Sequence, residues 1–253
     1  MRKLTRPSLG IHTQRYFDEW TKKITRKRLP KRRRQEAHRL WKHGRPTVAV
    51  RDAVELLRHM NDGLVTCMYC EHDHATAFKN GTWRAIIEHW EPIDRTPERT
   101  FDWDNHFLSC HRCNSFLKGV DFPVDAAGQP ALLHPATDNP SDHLELEPTN
   151  GRLMARNGSL KGDATITLFQ LNAFDKSRRA VWDFLVKELK AYDRVIAGGD
   201  STWADAIKRD ILGCDHRSLL GFLVDIALGP SGAVLTAPDI PDIVRRHNVG
   251  SWR

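Results

Sequence analysis

The sequence predicts an α+β protein in which a small zinc-stapled unit precedes a mainly helical C-terminal region. Three observations point there: two Cys-x-x-Cys pairs, several short strand-like runs bounded by turn residues, and a long amphipathic helix late in the chain. At 253 residues the chain can bury one good core, or a small catalytic domain with a helical companion. The hydrophobic fraction of 40% is ordinary for a globular protein, and no apolar run approaches the roughly 18 residues that a membrane helix needs. A membrane partner is therefore not expected. The basic N-terminus is followed by no apolar stretch of the kind a secretory signal carries, so the cytoplasm is the expected compartment.

Charge is unevenly placed. Residues 1–45 carry 16 Lys and Arg against three acidic residues, a local balance of +13 in a chain of net charge +7. The remainder is then net −6, from +7 minus +13. This asymmetry points to a polyanionic partner for the N-terminal segment, most directly nucleic acid, bound less tightly as salt rises. The run Lys31-Arg32-Arg33-Arg34 makes Arg32, Arg33 and Arg34 candidate phosphate contacts. The competing reading is a solvated helix face or a disordered arm. Because Tyr16, Phe17, Trp20 and Trp41 are interspersed among these cations, part of residues 1–46 is expected to dock on the body as a basic arm.

Apolar residues Val48, Val50, Val54, Leu56, Leu57 and Met60 recur at helical spacing before Asn61-Asp62-Gly63, predicting a helix that leads into the first cysteine pair. Residues 125–150 are rich in Pro, Asp, Gly and Asn and read as loop. Strand-like pieces follow around residues 144–146, 151–155 and 165–169. From Asp175 the residues Val181, Trp182, Leu185, Leu189, Tyr192 and Ile196 mark one helical face until Gly198-Gly199. Shorter helices are expected near residues 203–212, 216–228 and 241–247. The predicted division is 1–46 basic arm, 47–125 zinc-bound catalytic unit, 126–174 loop-rich region with short strands, and 175–253 helical region.

Cys67-Met68-Tyr69-Cys70 and Cys110-His111-Arg112-Cys113 have identical spacing and 39 residues between them. Two residues between cysteines let both thiolates converge on one ion, and two such knuckles complete a tetrahedral four-thiolate shell. Such a shell is closed, so the zinc is structural and adds folding energy. The alternatives are a pair of disulfides, disfavoured in a cytosolic chain, and a thioredoxin-like redox motif, disfavoured by two symmetric pairs. His72 and His74 lie near enough to Cys70 to act as substitute ligands, but four cysteines already fill the shell. Cys214 stands apart and reads as a buried or partly buried thiol.

Around the knuckles lie Glu88, His89, Asn105 and Asn114. The run Cys67-x-x-Cys70, Glu88-His89-Trp90-x-Pro92, Trp103-Asp104-Asn105, Cys110-x-x-Cys113-Asn114 and Lys118 resembles the HNH endonucleases, over about a fifth of the chain. It is similar in particular to the HNH subunits of bacterial anti-phage systems of the Septu and retron-associated kind. Leu132-Leu133-His134-Pro135, His143-Leu144-Glu145-Leu146, Ala164-Thr165-Ile166 and Leu171-Asn172 fit that group too, extending the likeness to about residue 180.

The resemblance implies a ββα-metal core, a hairpin followed by a helix. It makes His89 the general base, Glu88 and Asn114 ligands of a catalytic Mg²⁺ or Mn²⁺, and Asn105 a residue that steadies the loop carrying the base. An imidazole of ordinary pKa about 6.5 is suited to take a proton from water near neutrality, and carboxylate and amide oxygens suit a hard ion. Glu88 stands where many family members carry Asp. Lys118 recurs in the family pattern as a phosphate contact, and Arg112, placed between zinc ligands, joins it as a candidate. His111 is a weaker candidate for a phosphate or metal contact. Neighbouring strand residues face opposite ways, so Glu88 and His89 can share one ion only if the strand ends or bulges there. The implied substrate is double-stranded DNA and the implied partner an ATPase that controls cutting. Two rivals remain, a non-catalytic zinc-dependent DNA-binding module and an interaction subunit of a larger complex.

Overall fold

The structure, a computed structural model, describes residues 7–44, 53, 56, 67–71, 86–214, 216, 218–230, 232 and 236–252. The chain divides into two compact units between Asp138 and Asn139.

The first unit opens with helices α1 (Ile11–Thr25) and α2 (Pro30–Gly44). Thr13, Phe17 and Ile24 are the buried positions of α1, spaced by four and seven, so one stripe faces inward while its cations face out. In α2 the buried residues are Ala37, Leu40 and Trp41, again one stripe. Pro30 opens α2, where a missing N–H costs nothing. Both helices pack into a core with Ile87, Ile93, Phe101, Trp103 and Leu108. The basic segment expected to dock through its aromatic residues is a helical pair whose Phe17 and Trp41 sit at core positions.

Strands β1 (Ile86–His89) and β2 (His106–Ser109) pair antiparallel, with Ile87 opposite Leu108, Glu88 opposite Phe107 and His89 opposite His106. All four β2 residues are buried, so the ribbon is covered on both faces. A π-helical turn, Arg112–Lys118, follows, and ends at Gly119, whose φ of 51° lies in the left-handed region. Ala53 and Leu56 are helical and Ala53 is buried; the rest of the helix expected over residues 48–60, with His72 and His74, lies outside the described residues.

The second unit begins with the hairpin β3 (Leu144–Glu147) and β4 (Arg152–Ala155), followed by α3 (Leu160–Leu168), α4 (Asp175–Ala197), α5 (Ser201–Gly213), α6 (Ser218–Ala227) and α7 (Ile240–Arg246). The strand expected at 165–169 is the end of α3 instead. Ser159 caps that helix by accepting from Gly162 N at 3.1 Å, and Gly162, Thr165 and Phe169 are buried at helical spacing. A short β-branched run cannot by itself declare its period. The remaining expected helices occur within two residues of their predicted ends. Among the described residues, no helix is long and apolar enough to cross a membrane.

Neither the expected boundary at 125/126 nor that at 174/175 coincides with the division at 138/139. Arg178 explains the second difference. Its buried guanidinium donates to Gly151 O at 2.7 Å, Leu171 O at 2.8 Å and Asn172 Oδ1 at 3.1 Å, tying α4 to the hairpin turn before it. Replacing Arg178 by Met removes this donor from the buried Gly151 O and Leu171 O, and from Asn172 Oδ1, which keeps Leu153 N. A loss on the order of 3 kcal/mol is expected, read as a lower urea midpoint; a change below about 0.5 kcal/mol would remove this role from Arg178.

Candidate metal centre and active site

Cys67, Cys70, Cys110 and Cys113 come from two chain segments fastened to one strand. Met68 N donates to Leu108 O at 3.1 Å, which pins the first knuckle to β2, and Glu71 N closes it on Cys67 O at 2.9 Å. Cys110 continues from β2 and Cys113 lies in the π-helical turn, with its N–H directed to Cys110 Sγ at 3.4 Å. The four sulfurs lie within 4.8 Å of one another, and all four residues are buried. None of the five cysteines is in a disulfide, and Cys70 and Cys110 are 3.9 Å apart at sulfur. A tetrahedral zinc with bonds of about 2.3 Å sets sulfur–sulfur edges of about 3.8 Å, so the cluster fits such an ion. The electrostatics agree. Burial, then the neighbouring thiols, push the Cys67 thiol well above its ordinary range, and the hydrogen bond with Cys110 is the first cause of the rise at Cys113. Thiolates so placed need a cation among them.

Beside this cluster β1 stays a regular strand through His89, so the expected bulge at 88–89 is absent and the two side chains diverge. Glu88 is 2% exposed and meets Lys118 Nζ at 2.5 Å. Burial pushes its carboxyl upward, while Lys118 and Tyr69 oppose the shift. Lys118 also donates to His89 O at 2.9 Å, so it is an internal counter-ion and not an exposed phosphate contact. Asn114 is half-buried over β1, its amide 3.4 Å from Ile87 O. The oxygen donors of Glu88 and Asn114 suit a hard divalent ion, and a cation is already favoured at this carboxylate. Such an ion would have to take the place of the Lys118 ammonium.

On the opposite face, His89 is 9% exposed and its ring lies edge-on to Trp41 at 4.4 Å and to His106 at 4.9 Å. Thr100 O accepts from Nε2 of His89 at 3.0 Å and from Nε2 of His106 at 2.7 Å. A carbonyl only accepts, so both rings carry their proton on Nε2. Asn105 is fully buried and stitches the loop that leaves β1. Its Oδ1 accepts from Glu91 N at 2.7 Å, and its Nδ2 donates to Glu91 O at 3.0 Å and Arg99 O at 3.1 Å. Arg99 adds an ion pair to Glu91 and another to Asp102 at 2.7 Å.

The other candidates scatter. Arg32 is exposed, whereas Arg33 donates to Lys27 O at 2.7 Å and Arg34 pairs with Asp94 at 3.4 Å. Arg112 is half-buried, His111 is exposed against Phe116, and Cys214 is half-buried at the end of α5. Sequence reasoning missed Trp41, Thr100 and His106. Only His106 left a signal, since it follows Asn105 directly. Trp90 donates to Leu133 O at 3.0 Å and packs edge-on to His134, which gives the Leu132-Leu133-His134 segment a structural task.

No family model matches the chain. The Septu protein PtuB of Bacillus mycoides strain KBAB4 is 32% identical over 142 residues, covering 46% of this chain and 45% of that protein. The Septu protein PtuB of Bacillus thuringiensis is 30% identical over 112 residues, covering 44% of this chain and 38% of that protein. The chain therefore spans less than half the length of these curated relatives. These partial likenesses support a relation to Septu proteins.

Zinc at about one ion per chain is expected in the purified protein, and its loss in the Cys67→Ser/Cys113→Ser variant. Because binding energy at such a site is folding energy, a strong chelator should abolish the cooperative thermal transition of the first unit. Elemental analysis with calorimetry decides it: a metal-free wild type of unchanged melting would sink the zinc site.

Proposed function

We propose that this chain is a metal-dependent HNH endonuclease that hydrolyses DNA phosphodiester bonds, serving as effector of a bacterial anti-phage defence system in the cytoplasm. The observation that carries the reading is Asn105. In the HNH pattern the middle Asn steadies the loop next to the base, and here its amide fastens the main chain at Glu91 and Arg99, immediately after Glu88 and His89. The likeness to Septu proteins supports the defence context, in which an ATPase partner would control cutting.

In this reading a water oxygen attacks the scissile phosphorus while His89 takes its proton, and the P–O ester bond on the far side breaks. With Nε2 donated to Thr100 O, the basic lone pair of neutral His89 is on Nδ1. Asn105 is a positioning residue that holds the loop, and Arg112 and Arg32 are the candidate phosphate contacts. A Mg²⁺ or Mn²⁺ ion held by Glu88 and Asn114 would supply neutralisation of charge on the phosphate and leaving oxygen, and it would share that phosphate with His89 only after the regular strand at 88–89 gives way. The zinc shell is closed and serves structure alone.

A second reading is a non-catalytic, zinc-dependent DNA-binding or interaction subunit. The pairing of Glu88 with Lys118 and the burial of His89 favour it. Supercoiled plasmid with Mg²⁺ or Mn²⁺ separates the two. Nicking or linearisation by the wild type should fall about 10²- to 10⁴-fold in His89→Ala, with circular dichroism unchanged. Equal cutting by both proteins, or by neither in the presence of the genomically neighbouring ATPase, would leave the non-catalytic reading.

A further inference from the structure

The imidazole of His89 is closed in from two sides that differ in kind. His106 belongs to the same hairpin and is its cross-strand partner, so it leaves only if the strands part. Trp41 belongs to α2, a separate element, and among the described residues its ring is the nearest aromatic neighbour of His89, at 4.4 Å. His89 is 9% exposed, and Trp41 is one of the side chains that cover its ring.

The helix that carries Trp41 is poorly matched to its own charge. Its first turn contains no acidic residue, so Lys31, Arg32 and Arg33 face the positive end of the helix dipole. Among the described residues its polar side-chain contacts to the rest of the unit meet at Asp94, with Arg34 at 3.4 Å and His38 at 3.3 Å, all three side chains more than a third exposed. Exposed pairs of this kind hold weakly, so what keeps α2 in place is its buried stripe of Ala37, Leu40 and Trp41, and opening must expose that stripe. A polyanion can shift such an equilibrium only by binding one state better than the other. Here the difference exists: in the closed state Arg34 is engaged by Asp94, whereas an opened helix presents it to phosphate together with the already exposed Arg32.

We infer that the α1–α2 pair is an inhibitory cap, with Trp41 plugging His89, and that engagement of α2 by a phosphate backbone opens it. Its regulatory meaning rests on the nuclease reading above, while the covering of His89 is measurable without cleavage.

The test is acylation of histidines by diethyl pyrocarbonate in the zinc-loaded full chain, read residue by residue by peptide mass spectrometry, with exposed His111 as internal reference. His89 should react at least about tenfold more slowly than His111 in the wild type. The rate should rise about tenfold in Asp94→Lys, in Trp41→Ala, and in the wild type with inorganic polyphosphate at low salt, the last effect disappearing at high salt. Zinc content and circular dichroism monitor folding. If Trp41→Ala loses its zinc, Asp94→Lys and the polyphosphate arm decide. Plasmid cleavage is followed in parallel and should rise with the labelling. A His89 as reactive as His111 in the wild type, or indifferent to both Asp94→Lys and polyphosphate, overturns the cap even if plasmid is cut. Labelling that rises while no protein cuts plasmid, even with the genomically neighbouring ATPase present, overturns the nuclease reading instead.

Discussion

Four buried sulfurs within 4.8 Å of one another are the constraint on which the first unit depends. Thiols pushed upward by burial and by each other become compatible neighbours when a divalent cation draws their electrons, and a cation there locks two segments far apart in sequence. One knuckle hangs on Leu108 O, and the other continues β2 into the π-helical turn. Asn114 over Ile87 O and Lys118 at Glu88 share the short turn that carries Cys113, so the segment holding one sulfur also places both of them.

From that frame the alternation of a regular strand does the rest. Glu88 and His89 are adjacent, yet one enters an ionic cluster with Lys118 and Tyr69 and the other an aromatic one with Trp41 and His106. The strand between them separates a charged compartment from an apolar one. Asn105 and Thr100 stand at the apolar side and hold the departing loop with side-chain amide and main-chain carbonyl, so the placement of His89 depends on hydrogen bonds more than on volume.

The legible parts of the sequence were those whose signal is local and redundant. Paired cysteines announce a shared ion, the stripe from Trp182 to Leu189 announces α4, and the strand-like runs at 144–146 and 151–155 announce β3 and β4. Hidden parts were decided by contacts between distant segments. Trp41 gives no hint in the sequence that it meets His89, and the density of cations in α2 masks its apolar stripe of Ala37, Leu40 and Trp41. Thr165-Ile166-Thr167 has strand-forming residues but follows the cap at Ser159, and the cap prevails. Lys118 read as a surface cation because lysine usually is one; its burial is intelligible only with Glu88 beside it.

The π-helical turn carries a consequence of pitch. Its buried residues are Cys113 and Lys118, five apart, a spacing that lands on one side of a π-helix but not of an ordinary α-helix. The sulfur that closes the metal cluster and the ammonium that meets Glu88 are therefore two teeth of the same gear, in phase only on that wider pitch. The metal end and the carboxylate end of the turn are thus set by one helical pitch, and Tyr69, which meets Glu88 and lies by Cys67 and Cys113, joins them a second time.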